Sequence, residues 1–188
     1  NRMIIDSNSR ISLSNNDGNT ENTVFGYHAL TNAGTVLGNV GADYNTAVGH
    51  LSMAAGTITN ATYNVAIGYK SLRSITTGDV NTTVGAAAGE SLTDGADNVM
   101  VGGNAGDGSA SVSNTVLIGT SAGTAGLTTD ANGTVAVGRS ALSALTSGEK
   151  NTAIGYEALK TQIDGDKNTA IGYQALKMAE AAVDGYGY

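Results

Sequence analysis

The sequence predicts an all-β repeat solenoid, a parallel β-roll or β-helix of about nine 17-residue coils with short helical turns. First, the segment NTAIGYEAL at 151–159 returns as NTAIGYQAL at 168–176. Second, a glycine anchors nine such copies, at intervals of 23, 19, 17, 17, 17, 19, 17 and 17 residues. Third, the residue three before each anchor is always β-branched, which suits a strand. The anchors are Gly26, Gly49, Gly68, Gly85, Gly102, Gly119, Gly138, Gly155 and Gly172.

The residue directly before each anchor is always large and apolar. It shares a strand face with the β-branched residue two positions earlier, so we expect both to face the solenoid core. The position between them is usually small, as at Ala153, and would face outward. Ile154→Asp should then unfold the chain, because it would bury an unpaired charge. The predicted core residues are Ile67, Val84, Val101, Ile118, Val137, Ile154 and Ile171.

Each predicted strand is bounded by residues that suit corners. Asn stands four before the anchor in seven copies and can bond its own chain, and Gly accepts positive φ or a close approach between coils. After the anchor, some copies read as 68–78 does, with apolar residues three apart and a closing Gly. This spacing predicts one or two helical turns. Gly89, Gly106 and Gly123 replace the Leu in the middle copies, where we expect irregular turns.

The repeat divides the chain into three parts. Residues 22–176 form the predicted solenoid, and 1–21 are predicted to be a cap or junction with two short strands. Residues 31–44 are rich in Gly and Asn and predict a surface loop. Residues 177–188 resemble the start of a further repeat, which suggests a fragment of a longer parent.

Composition excludes several classes of function. A chain with 27 Gly, one Phe and no Trp does not predict a compact globular core, and the absence of Cys rules out disulfides and thiolate metal sites. A net charge of −7 argues against nucleic acid or an anionic membrane as partner. We expect neither a cofactor nor a metal ion.

The residue three after each anchor is always Ala or Ser. This small column predicts tight packing against a neighbouring coil or a neighbouring chain. A single coil has few apolar side chains with which to offset the entropy of ordering about 17 residues. Together with the partly apolar outer face, this favours a parallel homotrimer with its chains in register.

One segment matches a catalytic pattern. GTSAG at 119–123 follows a predicted strand, as the nucleophile elbow of a hydrolase does, but that mechanism needs a histidine later in the chain. His28 and His50 both come earlier and have no partners at ligand spacing. The repeat columns explain the segment better, so we expect no enzymatic activity.

Four tyrosines follow an anchor directly, at positions 27, 69, 156 and 173. They could form an aromatic ladder that binds sugar, or they could pack on the Leu three residues later. The sequence leaves both interpretations open.

The repeat NTAIGYxAL is similar to repeats of bacteriophage tail fibres, particularly those that end in an endosialidase-type intramolecular chaperone. Residues 2–13 resemble strand segments that flank such repeats. TVLIG at 115–119 and TVAVG at 134–138 also resemble the head repeats of trimeric autotransporter adhesins. That second resemblance implies a left-handed parallel β-roll that works as a trimer. The likeness covers about residues 22–176, and this chain differs from adhesin heads in its longer 17-residue step.

Three functions follow as hypotheses. The first is a non-catalytic segment of a phage tail fibre in the virion, joined to neighbouring fibre segments. Its host receptor, a glycan or an outer-membrane component, would be bound by a tip that the sequence does not identify. The second is the head or stalk of a bacterial surface adhesin, and the third is an ice-binding solenoid.

Overall fold

The structure is a computed structural model that describes residues 21–30, 41–54 and 58–178, and these form a β-solenoid. Each repeat supplies one three-residue strand, and each strand pairs in parallel with the strands before and after it along the chain. Corresponding columns lie directly opposite one another, as Ala153 and Ala170 do. The solenoid prediction is therefore confirmed, with one repeat per rung. The strands are β1 Thr23–Phe25, β2 Thr46–Val48, β3 Val65–Ile67, β4 Thr82–Val84, β5 Val99–Val101, β6 Val116–Ile118, β7 Val135–Val137, β8 Thr152–Ile154 and β9 Thr169–Ile171.

The described residues contain one helix, the 3-10 turn Thr129–Ala131, which lies in a 19-residue coil before β7. No helix among them is long and apolar enough to cross a membrane. The predicted cap at 1–21, the loop at 31–44 and the further repeat at 177–188 lie mainly outside the described residues.

The strand face predicted to form the core is the outer face, so that prediction was wrong. The residue between the two larger ones points inward, and Ala66, Ala136 and Ala153 are fully buried. The predicted core residues Ile67, Ile118, Ile154 and Ile171 are between 37% and 68% exposed, and Val84, Val101 and Val137 are half-buried. The physical reason is that the interior of a narrow coil has room for a small side chain at this point.

The interior is filled by a reciprocal pair of positions. Where the central strand residue is Ala, the residue four after the anchor is Leu or Met, as at Ala66 and Leu72. Where it is Thr83, Met100 or Leu117, the later residue is Gly. A Cβ added at Gly123 would lie 3.0 Å from Cδ2 of Leu117, so the larger strand residue occupies the space that Leu fills elsewhere. The total interior volume per coil is thereby kept, as close packing requires.

The segments after the anchors are not helical turns, and this prediction was also wrong. Lys70 has φ 56° and Leu72 has φ 52°, and the same two left-handed positions recur in every described coil. A right-handed helix cannot contain them. The middle copies, expected to differ, have the same backbone, since Gly89 has φ 58°. The apolar spacing of three therefore reports a tight double turn that buries its Leu.

Every anchor glycine is required by both conformation and space. The nine anchors have φ between 129° and 139°, a region that side chains rarely adopt. Their neighbours in the next coil also stand very close. A Cβ at Gly102 would lie 2.6 Å from the carbonyl carbon of Gly119. Both reasons offered for this column at the sequence level are thus correct.

Gly102→Ala should destabilise the chain by at least about 2 kcal/mol, because it combines a disfavoured φ with a backbone overlap. Gly103→Ala is the matched control, since its Cβ would find its nearest atom 4.0 Å away. That neighbour should change stability by less than about 0.5 kcal/mol. Thermal or denaturant unfolding of the two variants measures the difference. Equal losses would show that the anchor column is not special.

The corner Asn side chains join successive coils rather than cap their own turn. The backbone N–H of Asn81 donates to Oδ1 of Asn64 at 2.9 Å, and Asn98 Nδ2 donates to Asn81 Oδ1 at 2.9 Å. Asn64, Asn81 and Asn98 are fully buried, so these bonds form in a low-dielectric interior where unpaired groups would be costly. The left-handed residue at this corner is the one before the Asn, such as Tyr63 at φ 57°.

Candidate functional site

The main exposed feature of the solenoid is one face of its sheet. We call it the outer sheet face and define it by the residues one and three before each anchor. In the middle coils these are Val99 with Val101, and Val116 with Ile118. All of them are half-buried or exposed in the single chain. The other members are Thr23, Phe25, Thr46, Val48, Val65, Ile67, Thr82, Val84, Val135, Val137, Thr152, Ile154, Thr169 and Ile171.

The outer sheet face is flat in composition and regular along the axis. Strand pairing places each Ile or Val opposite the Ile or Val of the next coil, as Ile154 stands opposite Ile171. Nine strands at about 4.8 Å spacing extend the apolar stripe over about 38 Å. Contiguous apolar patches of this kind mark interaction sites on proteins. Sequence reasoning missed this site because it assigned the same residues to the core.

Two columns of corner residues border this face. The N-side rim is the residue five before each anchor, and the C-side rim is the residue directly after it. The N-side rim consists of Glu21, Tyr44, Tyr63, Val80, Asp97, Asn114, Gly133, Lys150 and Lys167. The C-side rim consists of Tyr27, His50, Tyr69, Ala86, Gly103, Thr120, Arg139, Tyr156 and Tyr173. Most members of both rims are exposed, so the apolar stripe is enclosed by aromatic and polar side chains.

The rim aromatics stack along the solenoid axis. Tyr156 and Tyr173 are parallel, with ring centroids 5.4 Å apart, and Tyr44 and Tyr63 stack at 4.9 Å. Tyr69 is 49% exposed, so it does not sit on the buried Leu72 of its own turn. The tyrosine column is therefore a ladder. Its stacked rings cover one another's faces, which are the surfaces that a sugar would need.

The small column three after each anchor is inside the solenoid. Ala88, Ala105, Ala122 and Ala141 are fully buried by neighbouring coils of the same chain. Packing against a neighbouring coil is thus the correct one of the two readings. This column does not contribute to an interface between chains, and any such interface has to rest on the outer sheet face.

The catalytic pattern at 119–123 is a set of repeat columns. Ser121 has φ 58°, but so do the equivalent positions of other coils, such as Lys70 and Ser140 at 56° and 57°. His50 belongs to β2's coil, four rungs or about 19 Å along the axis, too far to act as a base for Ser121. Within the described ranges no group of three or more His, Cys, Asp or Glu is placed to hold a metal ion.

One ionic cluster ties the last two described coils together. Glu157 is 8% exposed, and its carboxylate accepts from Lys160 Nζ and Lys177 Nζ at 2.7 Å each and from Gln174 Nε2 at 2.9 Å. The hydrogen bond from Lys160, then that from Lys177, lowers the pKa of Glu157 to about 2. The anion is therefore stabilised by folding.

Acid should weaken these coils. A carboxyl group whose pKa is lowered on folding contributes stability above its unfolded pKa, near 4.3 for Glu, and that contribution is lost as pH falls toward about 2. Glu157→Gln should remove this part of the pH dependence between about pH 4.5 and 2. Thermal midpoints across that range test this, with the exposed Asp164→Asn as control for general loss of charge. An unchanged pH profile in Glu157→Gln would contradict the assignment.

Comparison with known proteins adds no relative to this description. No protein-family model matches the chain, and no curated protein or solved structure matches it. A role for the outer sheet face therefore follows from its residues and geometry alone.

Proposed function

We propose that this chain is a non-catalytic structural segment of a phage tail fibre, in which three parallel copies meet through their outer sheet faces. The observation that carries the proposal is the uncovered apolar face of a nine-stranded parallel sheet. Parallel sheets occur almost only with both faces covered. Here the chain's own turns cover the inner face, and a partner is needed for the other.

A second copy of the chain is the partner that fits best. The outer sheet face repeats every rung, at about 4.8 Å, so a matching surface needs the same axial period. Another copy of the solenoid has that period by construction. Eight steps of 4.8 Å and a wall at most about 20 Å wide give up to about 770 Å² of face per chain. Stable interfaces bury about 800 Å² per partner, so the available area is sufficient.

The width of the face supports three copies. Packed sheets lie about 10 Å apart, so each contributes a side-chain layer of about 5 Å. Three walls at about 5 Å from a common axis enclose a triangle with sides of about 17 Å, by the same spacing. The strand and its two rim residues, seven residues in all, span at most about 20 Å. Three such walls therefore enclose a centre that Val and Ile side chains can fill.

The fibre role follows from the shape and from the wording of the repeat. A stack of rungs is elongated, and three stacks in register make a rod that transmits length between neighbouring fibre segments. The repeat NTAIGYxAL resembles those of phage tail fibres, which favours the virion over the surface of a bacterium. Receptor binding, to a glycan or an outer-membrane component, is proposed for a different part of the fibre.

Immunogold labelling with antibodies raised against this chain tests the assignment. Label along the tail fibres of purified virions would support it. Label on bacterial surfaces, with unlabelled virions, would favour a surface adhesin instead. Label on neither particle would remove both proposals.

Ice binding is a second candidate, because the outer sheet face is exposed, regularly spaced and carries Thr at five of its nine rungs. A thermal-hysteresis measurement separates it from the fibre role. Activity from a monomer would favour ice binding, and its absence would leave the fibre proposal in place.

A further inference from the structure

We propose that the N-side rim of each chain lies against the C-side rim of the next chain at the same rung, so that the two rims close the trimer and set its register. This rests on the proposed trimer but makes a separate claim. The outer sheet face has nearly the same residues at every rung, so sliding one chain by a rung changes little there. The rims differ from rung to rung, and they can fix the register.

At the first rungs both rims are aromatic. Tyr44 and Tyr63 form a parallel stack on the N-side rim, and His50 and Tyr69 lie 5.5 Å apart on the C-side rim. Tyr63 is 58% exposed and Tyr69 49% exposed in the single chain. When copies meet in register, the two aromatic stretches cover each other and remove their rings from water.

At the last rungs a cationic rim faces an aromatic one. Lys150 and Lys167 are exposed on the N-side rim, and Tyr156 and Tyr173 are stacked on the C-side rim. Ammonium groups beside a tyrosine ladder form favourable cation–π contacts. The chain already uses this chemistry on the same rim, where the guanidinium of Arg139 lies 5.8 Å from the ring centre of Tyr156.

The rung of β7 disfavours a shift. In register, Arg139 faces the exposed Gly133, which leaves room for its long side chain. A displacement by one rung in one direction places Arg139 beside Lys150, and two like charges then meet at a closing seam. Displacement also moves Tyr63 or Tyr44 away from an aromatic partner. The in-register arrangement alone satisfies both ends of the rims.

Cysteine crosslinking tests this directly, because the chain has no native Cys. The double variant Tyr63→Cys/Tyr69→Cys carries one thiol on each rim of the β3 rung. Within one chain these positions are separated by a strand and its flanking residues, about 13 Å or more. A disulfide needs Cα atoms within about 7 Å, so any bond formed must join two chains.

Mild oxidation of dilute protein should link the double variant into a covalent trimer on a denaturing, non-reducing gel, with reversal by a reductant. Each single variant should remain unlinked. The offset pair Tyr63→Cys/Gly103→Cys is the matched control, since two rungs separate its thiols by about 9.6 Å along the axis. Gly103 accepts the side chain because its Cβ would meet nothing closer than 4.0 Å.

The outcomes separate this inference from the fibre proposal. If the assembly has three chains but the offset pair crosslinks, the register is wrong and the fibre stands. If a single variant forms dimers, a rim meets its own copy and the rim pairing is wrong. If the wild-type protein is a monomer, both proposals fail.

Discussion

The double variant Leu117→Ala/Gly123→Leu should be more stable than either single variant. Leu117→Ala alone leaves a cavity and should cost about 2–5 kcal/mol. Gly123→Leu alone forces a side chain into occupied space, since its Cβ would lie 3.0 Å from Leu117 Cδ2, and should cost about 1–3 kcal/mol. Together the changes recreate the Ala136 and Leu142 pair of the next coil. The backbone permits it, because Leu142 has φ 49° and Gly123 has φ 59°.

Denaturant unfolding of the two single variants and the double variant gives the coupling energy between the positions. We expect the double variant to recover at least about 1 kcal/mol relative to the worse single variant. The control Val116→Ala/Gly123→Leu changes the outer strand position instead and should show no recovery. Strict additivity of Leu117→Ala and Gly123→Leu would mean that the two positions do not share space.

Ile154→Asp should separate the chains without unfolding them. Ile154 is 38% exposed in the single chain, so a carboxylate there remains hydrated in the monomer. In the proposed trimer the same change places three unpaired charges around the axis, each costing at least about 2 kcal/mol. Circular dichroism should report an intact, cooperatively melting solenoid. Sedimentation velocity should report a single chain.

The adjacent Ala153→Asp is the matched control. Ala153 is fully buried inside the solenoid, so its replacement should unfold the chain. The contrast between neighbouring residues distinguishes the two faces of β8. If Ile154→Asp unfolds as completely as Ala153→Asp does, the outer sheet face is part of the single-chain core after all.

The sequence alone could predict the solenoid, because the anchor interval and the β-branched column recur without a break. It could also predict the anchor column, since only glycine tolerates φ near 130° beside a neighbouring backbone. The strand face was inverted for a physical reason. Size identifies the buried side of a strand only when there is a single apolar environment. Here the narrow interior takes Ala153, and the larger Ile154 lies on the outer sheet face.

A signal for the correct face was present in the repeat. Met100 and Leu117 coincide with Gly106 and Gly123, while Ala at the strand centre coincides with Leu or Met later. Such reciprocal sizes indicate two positions that share one space. The left-handed turns had no such signal, because Leu at φ near 50° is unusual and an apolar spacing of three ordinarily indicates a helix.

The molar mass of the wild-type chain in solution tests the central claim, that further copies cover the outer sheet face. Light scattering across a hundredfold dilution measures it without labels. We predict three times the 18.7 kDa of one chain, with no change on dilution. A constant mass of 18.7 kDa would contradict the claim, because the apolar outer sheet face would then be stable in water.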